Sequence, residues 1–297
     1  MLPPARFKVG AMKILVTGAA ALVGRYFAAR AQQEHDVVAL SHGELDITDS
    51  SAVERVVAQH RPDLIANCAV IQVDESEQNP AKARAVNVEG PRLLAQAADR
   101  IGGEIVQFST QYAFDGEPIG REFYTIDDPV NPINNYGRTK VDGENAVRAA
   151  CARSYIIRTS WVFGAGKDSF LCTVAGDLRS GKRVRAIDDI WSSTTYVADL
   201  IDRVLEIQQR RRYGIYHVVN DGVCSYYEYA LEAGRLAGLQ RAQIDSLIEI
   251  THERDMQRVA VRPRYTPMRC LQSEQIGLTP MRHWKEALAA YVKTSLE

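Results

Sequence analysis

The chain has very little net charge. Its 36 Lys and Arg stand against 37 Asp and Glu, leaving -1. That balance points away from nucleic acid and from anionic membrane surfaces. The basic run Arg210-Arg211-Arg212 is short and reads as a solvated helix end. Long apolar runs are missing too: none approaches the roughly 20 residues that cross a bilayer. The N-terminus lacks the charged-then-apolar pattern of a signal peptide. Met1 to Ala11 reads as a loose extension, with Met12 as an alternative start. Cysteines are few: Cys68, Cys151, Cys172, Cys224 and Cys270 are odd in number and widely spaced, which suggests neither a disulfide framework nor a zinc site. Reduced thiols in the cytoplasm are the simplest account. No metal ligands are assigned. Asp188-Asp189 reads as a solvated turn, and the histidines are scattered.

What is present begins with Lys13-Ile14-Leu15-Val16-Thr17, a short β-branched run. Gly18-Ala19-Ala20-Ala21-Leu22-Val23-Gly24 and a helical pattern to about Gln33 follow. Strand, glycine turn and helix open a dinucleotide-binding unit, with the pyrophosphate on the helix N-terminus. The usual spacing needs glycine at 18, 21 and 24. Position 21 is Ala, whose methyl either crowds the phosphate or is absorbed by a loop shift. The second strand, Asp36 to Leu40, ends in Ser41 and His42 instead of the carboxylate that holds the ribose of NAD. A 2′-phosphate is then tolerated, which favours NADPH over NADH; His42 can sit beside it, though a plain surface loop residue is the simpler reading of that histidine.

Strands at 64–69 and 104–108 alternate with helices at 51–60 and from Ala81 through Ala98, with Pro91 as an irregularity. Asp49 or Ser50 caps the first of these. The alternation predicts an α/β fold, a doubly wound parallel sheet of Rossmann type. Gly18, Cys68, Thr110 and Ser160 follow strand ends and should share one edge. A strand at 183–187, a helix at 195–208, a strand at 215–219, a helix capped by Ser225 and a closing helix from Ile276 to Leu296 complete the chain. The aromatic cluster at 226–229 reads as core.

Tyr136 and Lys140 stand four apart, on one face if helical. A phenol has a reference pKa of roughly 10. A neighbouring ammonium would lower it and let Tyr136 serve as a general acid in carbonyl reduction. On spacing alone a surface Lys packed over a half-buried Tyr fits as well.

Ser109-Thr110-Gln111-Tyr112-Ala113-Phe114-Asp115-Gly116, Tyr136-Gly137-Arg138-Thr139-Lys140 and Arg158-Thr159-Ser160-Trp161 together resemble the extended short-chain dehydrogenase/reductases, and more narrowly the dTDP-4-dehydrorhamnose reductase family. The resemblance implies reduction of the 4-keto group of a nucleotide-linked 6-deoxyhexose by NADPH or NADH. It makes Thr110, Tyr136 and Lys140 catalytic. Gly18, Leu22 and Val23 would line the pyrophosphate, Asp46 and Ile47 flank the adenine, and Cys68 and Ala69 lie along the cofactor. Gln111, Tyr112 and Trp161 would face the sugar, with Gln111 replacing a family Asp. In Arg262-Pro263-Arg264-Tyr265-Thr266-Pro267-Met268, which departs from the family segment, Arg262 or Arg264 could pair with a diphosphate; a solvated loop fits these arginines equally well. The resemblance also implies a smaller, discontinuous C-terminal substrate domain: 12–165 for the dinucleotide-binding domain and 166–297 mainly for substrate binding, with about 195–210 returning to the first. A homodimer is compatible with it. Two other readings share it: an epimerase or dehydratase that returns its hydride, and a non-catalytic subunit like the regulatory subunit of methionine adenosyltransferase.

Overall fold

The computed structural model describes residues 10–117 and 123–296; most of the expected N-terminal extension therefore lies outside the described residues. A six-stranded, wholly parallel sheet forms the centre. Its strands are β1 (Lys13–Thr17), β2 (Asp36–Leu40), β3 (Leu64–Asn67), β4 (Glu104–Thr110), β5 (Ser154–Thr159) and β6 (Gly214–His217). Their spatial order is β6-β5-β4-β3-β1-β2. The order reverses between β1 and β3, the crevice where ligands bind in doubly wound sheets. The expected α/β architecture is the observed one.

Alternating side chains explain how the sheet is covered. Ile14 and Val16 face one side with Ala66, Val106 and Ile157. There they meet α1 (Leu22–Ala31) and a later helix, Val197–Arg210, through Phe27, Ala28, Leu200 and Val204. Leu15, Ile65, Ile105 and Ile156 face the other side, under α2 (Ser50–His60) and α3 (Gly90–Arg100). The Asp49 side chain accepts from the Ala52 N–H at 3.1 Å and caps α2. A separate core joins the helices Phe170–Arg179, Tyr226–Leu236 and Trp284–Leu296 around Val174, Tyr229 and Leu288. Ser225 caps the middle helix in a full capping box with Glu228.

Three elements differ from the sequence expectation. The helix around Pro91 is irregular, but the irregularity precedes the proline: a π-helical turn spans Ala85–Glu89. Pro91 has no N–H for the carbonyl four residues back, Asn87, and its ring crowds that group. The C-terminal helix begins at Trp284, not Ile276. Gly277 takes a φ of 81° and Pro280 follows, so residues 276–283 form a loop. Thr195–Tyr196 is not helical; it pairs with Val162–Phe163, and the helix starts at Val197.

The helix α4 (Asn135–Ala150) lies close to its neighbours because two of its residues have no side chain. A Cβ on Gly143 would collide with the Asn87 carbonyl oxygen, and one on Gly137 with that of Tyr112. Both obstacles are backbone and cannot rotate away. Gly143→Ala should therefore lower unfolding free energy by about 2 kcal/mol in urea denaturation. Gly43→Ala, where an added Cβ meets nothing within 4 Å, should stay within about 0.5 kcal/mol of the native protein.

Candidate active site

Four strand ends build the site. Past β1, Gly18 turns at φ 65°, and a Cβ there would come 2.6 Å from the Ala69 nitrogen. Gly24 is equally constrained, since its Cβ would run into the Gly18 carbonyl. Position 21 carries no such demand. Ala21 is exposed and extended, at φ -78° and ψ 163°, so alanine fits the turn without strain. No side chain caps α1, and no acidic residue occupies its first turn. Its amide end is thus free for a phosphate, which fits a dinucleotide pyrophosphate.

Past β4, the Thr110 hydroxyl accepts from the Tyr112 N–H at 3.1 Å and donates to Gln111 Oε1 at 3.0 Å. The start of α4 is seated by Asn134, whose side chain accepts from Gly137 N–H at 2.7 Å and donates to the Val261 carbonyl at 2.8 Å. With Gly137 against the Tyr112 carbonyl, the Tyr136 and Tyr112 rings meet edge to face at 5.6 Å. One turn on, Lys140 is buried and donates to the Phe108 carbonyl at 2.7 Å.

Thr110, Gln111, Tyr112, Tyr136, Lys140 and Trp161 share one cavity of about 420 Å³. Val23, Cys68 and Ala69 line it from the β1 and β3 side. Trp161 takes a φ of 39°, in the region L residues rarely adopt, and its ring lies 4.0 Å from that of Tyr226. Tyr226 also lines the cavity, so the 226–229 cluster is divided: Tyr229 is core and Tyr226 is wall.

The remaining expected residues lie elsewhere. Leu22 is buried in the sheet core and Ile47 in the core of the opposite face. His42 is exposed past β2, and Asp46 is bound to the Thr48 N–H and hydroxyl at 2.9 and 2.7 Å. Arg262 is committed to Asp74 at 2.8 Å and to the Ala260 carbonyl, while Arg264 is exposed. The arginine on the cavity wall is Arg258, 3.3 Å from Glu253. Its position was not legible in sequence, because the preceding loop places it. Asp188 meets His252 at 2.7 Å, and Asp189 accepts from the Glu253 N–H.

The expected lowering of the Tyr136 pKa by Lys140 is not found. Burial pushes the Tyr136 phenol up to about 12, and the Thr110 hydroxyl pulls in the opposite sense. Lys140 directs its ammonium at the Phe108 carbonyl. Burial pulls the Lys140 pKa from 10.5 down to about 8, against the attraction of Glu144 and Cys68. Burial raises the Cys68 thiol, so it stays protonated near neutral pH.

Beneath this wall sits a group that sequence reading missed. Glu144, one further turn along α4, grips Arg158 of β5 through contacts of 2.7, 3.0 and 3.2 Å. Ser109 donates its hydroxyl to the same carboxylate. Arg158 also lies 5.5 Å from the centre of the Phe114 ring. Both charged side chains are nearly sealed, at 4% and 2% exposure, so each needs the other. The i, i+4, i+8 series Tyr136, Lys140, Glu144 was the available signal.

Glu144→Gln should cost about 3 kcal/mol in urea unfolding, because Arg158 is left buried without a counter-charge. Lys140 gives a pH signature. It binds its proton more weakly folded (about 8) than unfolded (10.5), so its contribution to stability grows as pH rises through that window. Native stability measured against Lys140→Met should rise by roughly 3 kcal/mol between those two values.

Comparison with known proteins gives the family. The model for the RmlD substrate binding domain matches residues 12–296. A dTDP-4-dehydrorhamnose reductase of Mycolicibacterium smegmatis is 38% identical over 289 residues, covering 96% of this chain and 86% of that protein. The crystal structure of a dTDP-4-dehydrorhamnose reductase from Clostridium acetobutylicum superposes with a TM-score of 0.89 at 35% identity, over 96% of this chain and 100% of that one. Another, from Bacillus anthracis in complex with NADP, does so at 0.89 and 29%, with the same coverage. With the fold, the glycine turn and the Thr-Tyr-Lys wall all in place, the chain belongs to the RmlD substrate-binding-domain family.

Proposed function

We propose that this chain is an NADPH-dependent oxidoreductase, able to use NADH, that reduces the 4-keto group of a nucleotide-linked 6-deoxyhexose. The observation that carries the reading is the shared wall: Thr110, Tyr136 and Lys140 line one cavity with Val23, Cys68 and Ala69. The names of the family relatives, dTDP-4-dehydrorhamnose reductases, and the NADP complex of one of them support it.

The dinucleotide, when bound along Gly18, Val23, Cys68 and Ala69, supplies hydride. Tyr136 gives its proton to the keto oxygen as charge develops there, and Thr110 hydrogen-bonds that oxygen. A phenol near 12 is fully protonated at neutral pH, and an alkoxide is basic enough to take its proton. Lys140 would hold the nicotinamide ribose of the bound dinucleotide and place positive charge beside the reacting groups. Trp161 and Tyr226 form the aromatic side of the sugar pocket. Arg258 and Lys167, both on the cavity wall, are the cations in reach of a diphosphate through charge-assisted bonds. Residues 12–165 form the dinucleotide-binding domain in this reading, and most of 166–297 holds the sugar nucleotide. The protein works in the cytoplasm. Among the described residues, no helix is long and apolar enough to cross a membrane.

Purified protein should oxidise NADPH when given dTDP-4-keto-6-deoxy-L-hexose. Tyr136→Phe should lower turnover by about 10²- to 10⁴-fold, the usual share of a general acid, while leaving cofactor binding intact. Full turnover by Tyr136→Phe would assign the proton to another donor.

A further inference from the structure

Asp74 grips a distant part of the chain. It lies in the short helix Val73–Gln78 past β3, beside Gln72 and Val73 of the cavity wall. One carboxylate oxygen accepts from the Ala260 N–H at 3.1 Å and the other from Arg262 at 2.8 Å, partners 186 and 188 residues away. Burial favours the neutral acid, but the bonds from Arg262 and the Ala260 N–H, helped by the charge of Arg258, hold the Asp74 carboxyl below its usual range. It is therefore ionised at neutral pH. The Arg262 side chain is only 9% exposed, and its guanidinium is spent on Asp74 and on the Ala260 carbonyl.

The gripped segment is a strap with two fixed ends. At its start, Glu253 donates its N–H to Asp189 at 2.8 Å. At its far end, the Val261 carbonyl accepts from the side chain of Asn134, which also caps α4, and the Tyr265 N–H donates to the Gly116 carbonyl at 3.1 Å. Between these ends, Gln257 turns the chain at φ 47°, in the left-handed region. Arg258 follows and stands on the cavity wall. Its ion pair with Glu253, at 3.3 Å, lies within the strap and moves with it. The bond that crosses from the strap to the β3 side nearest to Arg258 in sequence is the one from Ala260 to Asp74.

We infer that Asp74 is a positioning residue for the sugar nucleotide: by fixing the strap at Ala260 and Arg262, it sets Arg258 where a nucleoside diphosphate meets the wall. The inference rests on the nucleotide-sugar reading and adds to it a residue that acts through Arg258. Arg262 thus serves the diphosphate indirectly, by locking the strap. Charge and placement pull in opposite directions at Asp74. Its carboxylate is negative, so removing that charge would by Coulomb attraction alone favour an anion nearby. A loss of diphosphate affinity on removing it therefore reports lost placement.

The test is calorimetric binding of dTDP to the full-length protein, without turnover. Asp74→Asn keeps the shape of the side chain and loses the charge that holds Arg262. Its Kd for dTDP should rise about tenfold, the scale of one misplaced charge-assisted contact. Its Kd for NADPH should stay within about twofold of the native value, because the strap does not build the glycine turn. Arg258→Ala should weaken dTDP by itself, and adding Asp74→Asn to it should change the Kd by less than about twofold, since one path carries both effects. Unchanged or tighter dTDP binding by Asp74→Asn, native affinity in Arg258→Ala, or losses that multiply in the double variant would overturn the role of Asp74 and leave the nucleotide-sugar reading standing. Loss of NADPH together with dTDP would make Asp74 a general support of the fold and overturn that role as well. Failure of dTDP to bind the native protein would overturn both.

Discussion

The Glu144–Arg158 pair holds the reacting wall together. Each member would be untenable alone where it sits, since an uncompensated charge in so dry a place costs several kcal/mol. The pair also ties three elements to one another. Glu144 belongs to α4, which carries Tyr136 and Lys140; Arg158 belongs to β5, which leads to Trp161; Ser109 precedes Thr110 on β4. A carboxylate with bonds from two strands fixes the height and rotation of its helix. Tyr136 and Lys140 are thereby presented to the end of β4 and not to its middle.

Close approach makes the pair reachable. Gly137 and Gly143 let α4 rest on backbone carbonyls of Tyr112 and Asn87. Asn87 belongs to the π-turn that Pro91 provokes, so an irregularity in one helix sets the seat of the next. Such dense packing excludes water, and the electrostatics follow. Burial keeps the Tyr136 phenol protonated and weakens the hold of Lys140 on its proton, both by disfavouring the charged form. The wall thus presents a protonated donor to the cavity, beside the place where an alkoxide would develop.

Much of this was legible in sequence, for reasons that can be named. β-branched runs alternating with helical periods dictated the parallel sheet, and the sheet brought Gly18, Cys68, Thr110 and Ser160 to one edge. The spacing of Tyr136 and Lys140 fixed their common face. What stayed hidden depended on contacts between distant residues or on how a turn folds. Arg262 looked available, but Asp74, 188 residues away, holds it. Lys140 looked like the group that tunes Tyr136, but it turns to the Phe108 carbonyl. The closing helix looked longer because apolar periodicity continues through residues that Gly277 and Pro280 break.

A reductase adds hydride to the sugar and does not return it to the cofactor, which separates it from an epimerase on the same fold. The most direct measurement is the fate of the label when the protein turns over NADPH deuterated at C4 of its dihydronicotinamide with the 4-keto sugar nucleotide. With both C4 hydrogens of the cofactor replaced by deuterium, one deuterium at C4 of the product sugar is expected for each cofactor oxidised. An isomerised sugar without deuterium, and with no net oxidation of the cofactor, would contradict it.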